Sequence, residues 1–153
     1  MAMAWSESER EILRLVLDAL IPPSADGRIP SGGLPEVVAF LAAAERYADA
    51  PVASVRRLLD CLRKQGGEEF AALSDGERVA ALERVEAAAG EDFTTLTRLA
   101  YMGYYSRADV RRALGLNAAP AHPGGYEVAP DGEERLAELT APVRERGRAY
   151  REA

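Results

Sequence analysis

Apolar residues recur along this chain at spacings of three and four and do not alternate with period two for any length, which predicts helices throughout and no sheet. The first helix opens at Ser6 and Glu9, a capping box that satisfies backbone donors at the helix start. Ile12, Leu13, Val16, Leu17, Leu20 and Ile21 then share one face. Pro22-Pro23 closes it, because the residue ahead of a proline is driven out of the helical region. The run PPSADGRIPSGG that follows is a loop rich in Pro, Gly and Ser.

A second helix begins near Leu34-Pro35, where a first-turn proline lacks only an N–H that would be unsatisfied anyway. Val37, Val38, Phe40 and Leu41 carry it to about Tyr47. A third starts near Pro51, with Val55, Leu58, Leu59 and Leu62 on one side, and runs to Gly66-Gly67. Ser74 and Glu77 form a second capping box, opening a helix with Val79, Leu82 and Val85 that fades at Gly90. The fifth, from about Asp92, spaces Phe93, Leu96, Leu99, Ala100 and Met102 helically and ends at Gly103-Tyr104-Tyr105. A short sixth helix runs from Ala108 to Leu114 and stops at Gly115.

Composition shifts after Leu116. The stretch NAAPAHPGGYEVAPDG, residues 117–132, is dense in proline and glycine and nearly devoid of core-forming side chains. Loops of that length inside a small domain are functional or disordered. The tail from Glu133 is helix-prone, with Leu136, Leu139, Val143 and Tyr150 thinly spread, and suits a helix that docks on a surface. The expected fold is therefore all-α. Its plan is one bundle of about six helices over residues 1–132, with a Pro/Gly-rich loop and a C-terminal helical extension over 133–153. Leu13, Val16, Leu17, Leu20, Phe40, Leu59, Leu62, Leu82, Phe93, Leu96 and Leu99 form the expected core.

At 153 residues the chain is long enough to bury such a core. A formal net charge of −6, spread along the sequence, argues against nucleic acid and anionic membrane surfaces, which select clustered Lys and Arg. The pairs Arg56-Arg57 and Arg111-Arg112 read as solvated helix faces. No apolar stretch approaches the ~20 residues that span a bilayer. The N-terminal MAMAWSESER lacks the basic-then-apolar pattern of an export signal, so the expected compartment is the cytoplasm, or the periplasm after removal of a leader.

Chemistry is hard to assemble from these residues. There is one histidine, His122, and one cysteine, Cys61. A hydrolytic triad must pass through His122 in the Pro/Gly-rich loop, and Cys61 sits in an apolar run that reads as core. Zinc and iron sites want more His and Cys ligands than these. Gly32-Gly33, Gly66-Gly67 and Gly124-Gly125 match neither GxGxxG nor GxxxxGK[ST]. The reading is of a chain with no metal, cofactor or catalytic residues of its own. Aromatic placement stands out instead, since Tyr101, Tyr104, Tyr105 and Tyr126 crowd into residues 101–126. Tyrosine is enriched at interfaces. The rings either contact a partner or cover the end of the fifth helix, and the sequence leaves both readings open.

The segment FTTLTRLAYMGYYSRADVRRALGLNAAPAHPGGY, residues 93–126, resembles the C-terminal signature of the gluconate 2-dehydrogenase subunit 3 family. That signature is a helix ending in a GYYS-like turn, a short helix with an LG step, and a Pro-rich stretch closing on GGY. Upstream, Leu20-Ile21-Pro22 with its Gly-rich loop and Pro35-Glu36-Val37-Val38-Ala39-Phe40 resemble the family's opening. Phe70-Ala71-Ala72-Leu73-Ser74 followed by Leu82-Glu83 resembles its middle. The resemblance covers roughly residues 12–126; many members of that family carry a twin-arginine leader, from which this sequence departs, and the tail after about Glu133 is a further departure. It implies a small helical accessory subunit, chaperone-like or an escort, of a large flavin-dependent GMC-type (glucose–methanol–choline) dehydrogenase acting on sugars or sugar acids. FAD and the catalytic residues then belong to the partner. The partner-binding surface is expected at Tyr101, Tyr104, Tyr105, His122, Gly124, Gly125 and Tyr126. The alternative from the residues alone is a stand-alone helical module that binds a small molecule or itself.

Overall fold

Both serine caps do what their spacing demands. In the computed structural model, which describes residues 5–65, 67–118 and 132–147, the Glu9 N–H donates to Ser6 Oγ at 3.1 Å and the Ser6 N–H to Glu9 Oε2 at 2.7 Å. These bonds start α1 (Glu7–Leu20). At the second cap, the Ser74 N–H donates to Glu77 Oε2 at 2.8 Å and starts α4 (Asp75–Ala88). Between them lie α2 (Pro35–Ala42) and α3 (Pro51–Lys64), each with a proline in its first turn. The chain continues through α5 (Gly90–Tyr105) and α6 (Ala108–Ala113), then α7 (Glu133–Arg146). The protein is all-helical, with no strand among the described residues.

The chain divides into two units, Met1–Ala121 and His122–Ala153; the sequence reading set that boundary later, at Gly132. In the first unit α5 is the central element, packing against α2, α3 and α4. Its buried face is Phe93, Leu96, Leu99, Ala100, Gly103 and Tyr104, a stripe at three- and four-residue spacing. Leu13, Val16 and Leu17 of α1, Val37, Val38 and Leu41 of α2, Leu58, Leu59 and Leu62 of α3, and Leu82 and Val85 of α4 pack in the same core. Each such leucine withdrawn from water contributes roughly 1.5–3 kcal/mol.

Close approach explains two glycine positions. A Cβ on Gly103 would lie 2.7 Å from Phe40 Cδ1, so glycine lets α5 pass directly beneath the α2 ring. A Cβ on Gly33 would lie 2.6 Å from the Arg14 carbonyl oxygen. The loop thus lies on the backbone of α1, where the Gly33 N–H reaches Asp18 Oδ1 at 2.8 Å. Gly32-Gly33 is a packing device.

Several sequence expectations need correction. The second helix ends at Ala42, not near Tyr47; a 3₁₀ turn over Ala44–Arg46 follows, burying Ala44 completely. Leu20 and Phe40 are only partly buried and flank the core. Cys61 is likewise half-buried. Trp5 and Phe70 are buried, although neither was expected in the core. Trp5 precedes the first cap, and its indole N–H donates to the Val38 carbonyl at 3.1 Å, tying the chain's start to α2.

The second unit, by itself, is described only as α7 with its flanking glycines. None of the residues of α7 is buried; Leu136, Leu139 and Val143 stand exposed, and Pro142 sits inside the helix.

Candidate interaction surface

The last turns of α5 put alternating demands on its side chains. Leu96, Leu99, Ala100, Gly103 and Tyr104 face inward. Arg98, Tyr101, Met102 and Tyr105, at i, i+3, i+4 and i+7, therefore form one outward stripe. All four are exposed, with Tyr101 at 43%, Met102 at 36% and Tyr105 at 46%. The Tyr101 and Tyr105 rings lie 5.9 Å apart, and Tyr105 meets the Tyr104 ring edge-on at 5.0 Å. The outward positions of α3 and α4, by contrast, are largely charged: Arg56, Arg57, Asp60 and Arg63, then Glu83, Arg84 and Glu86.

Tyr104 is corrected out of the surface set. Its side chain is fully buried and its hydroxyl donates to the Pro30 carbonyl, pinning the 22–34 loop to α5. Burial, together with the neighbouring Tyr105 and Asp109, holds its phenol above the usual tyrosine range. Tyr101 and Tyr105 are on the surface. His122, Gly124, Gly125 and Tyr126 lie outside the described residues.

Three members of the surface were missed in the sequence: Met102, which the spacing had put with the apolar positions of the fifth helix, Arg98 and Tyr47. Arg98 donates from Nη2 to the Tyr47 carbonyl at 2.8 Å, which carries the stripe across to the turn after α2. Tyr47 is exposed and its ring lies 5.9 Å from that of Phe40. The i, i+3, i+4 spacing of Arg98, Tyr101 and Met102 was legible; that Tyr47 adjoins them was not. Beside Tyr101 an open groove of about 400 Å³ runs along α4 and α5, lined by Glu86, Phe93, Thr94, Thr97 and Arg98. The Thr97 hydroxyl oxygen is buried there without a hydrogen-bond partner.

Charges around this face are organised mainly by pairing. Arg107 meets Asp109 at 2.9 Å and Glu36 at 3.3 Å, joining α6 to α2. The Arg107 hydrogen bond holds the Asp109 carboxyl below its usual range. Arg56 and Arg57, expected as solvated, are exposed yet bonded to acids of other helices: Arg56 to Glu9 at 2.9 Å and Arg57 to Asp92 at 2.6 Å. Arg111 donates to the Asn117 carbonyl at 2.7 Å. No cluster of three or more His, Cys, Asp and Glu side chains among the described residues is placed to hold a metal ion, and no described helix is long and apolar enough to cross a membrane.

The fold and this face define a helical domain with an aromatic stripe on its central helix. Compared with family models, curated proteins and solved structures, the chain matches none.

Proposed function

We propose that this chain is a non-catalytic accessory subunit that binds and stabilises, or escorts, a large flavin-dependent GMC-type oxidoreductase acting on sugars or sugar acids. FAD and the reacting groups reside in the partner. The observation that carries the reading is the exposure of Tyr101, Met102 and Tyr105 in one stripe on the central helix. Tyrosine and methionine are enriched at protein interfaces, and binding energy concentrates in such anchors. The resemblance in motif order over residues 12–126 is what suggests a flavoprotein partner, and the exposed stripe supports a protein contact there.

The test is co-expression of the tagged chain with a large GMC-type flavoprotein from the same organism, followed by capture and a visible spectrum. The expected result is a yellow complex whose chromophore stays with the large subunit on dissociation, leaving the small chain colourless. A chain that captures no flavoprotein ends this reading.

A further inference from the structure

We draw no further inference here: the strongest candidate, the stripe of Leu136, Leu139 and Val143 exposed along α7, is an apolar helix face, and nothing in the structure shows what covers it.

Discussion

Adjacent tyrosines at the end of α5 have opposite fates. Tyr104 is buried with its hydroxyl on the Pro30 carbonyl, and Tyr105 stands exposed. Tyr104→Phe keeps the ring and strands one half-buried carbonyl, so it should destabilise the domain by about 1 kcal/mol in chemical denaturation. The phenol's raised pKa makes its contribution fully present below the unfolded value of about 10 and lost as pH rises through the folded value. Wild type should therefore lose stability steeply in alkali, and Tyr104→Phe should lose less over the same interval; parallel losses would remove Tyr104 as the cause. Tyr105→Ala should leave melting nearly unchanged and weaken partner capture by about 2 kcal/mol, roughly thirtyfold. Unfolding of Tyr105→Ala would instead assign that ring to the core.

Between elements, helix pairs are tied by exposed ion pairs as well as by leucines. Arg57 of α3 grips Asp92 of α5 through two nitrogens, at 2.6 and 3.0 Å, and Arg56 of α3 reaches Glu9 of α1 while lying over the Trp5 ring. The arginine hydrogen bonds hold both carboxyls below their usual range. Depressed folded values mean stability that is present above the unfolded pKa and lost as pH falls through the folded one. Stability should decline below about pH 4.5, and Asp92→Asn should flatten that decline. An acid limb of unchanged slope in Asp92→Asn would show that this pair contributes nothing measurable, the usual fate of an exposed pair.

For the molecule as a whole, the two units differ in how much they bury. The first holds every buried apolar side chain among the described residues, and α7 buries none. Ending the chain at Gly132 should leave the melting temperature of the remainder within a degree or two, since a helix that hides no apolar area has little to contribute. A large drop would mean that the extension supports the first unit.

Much of this was legible in the residues themselves. Ser6 with Glu9 and Ser74 with Glu77 each start a helix by local hydrogen bonds that need no distant partner. Pro22-Pro23 and Pro51 act through steric rules that operate over one or two residues. The three- and four-residue spacing of Phe93, Leu96, Leu99 and Ala100 marks the inward side of α5. The same reading puts Met102 with the apolar positions and leaves Tyr104 and Tyr105 undecided, and the structure exposes Met102 and Tyr105. Other features depend on what the neighbouring helix does. The end of α2 was misplaced because Ala42, Ala43 and Ala44 permit helix and turn alike, and burial of Ala44 against the bundle decides between them. Trp5 carries no periodic signal, and only the Val38 carbonyl across the fold makes it core. Tyr104 and Tyr105 are chemically identical side by side in sequence. Only the packing of α5 against α2 and the position of the Pro30 carbonyl make one a buried pin and leave the other on the surface, because burial is a property of what stands opposite a side chain.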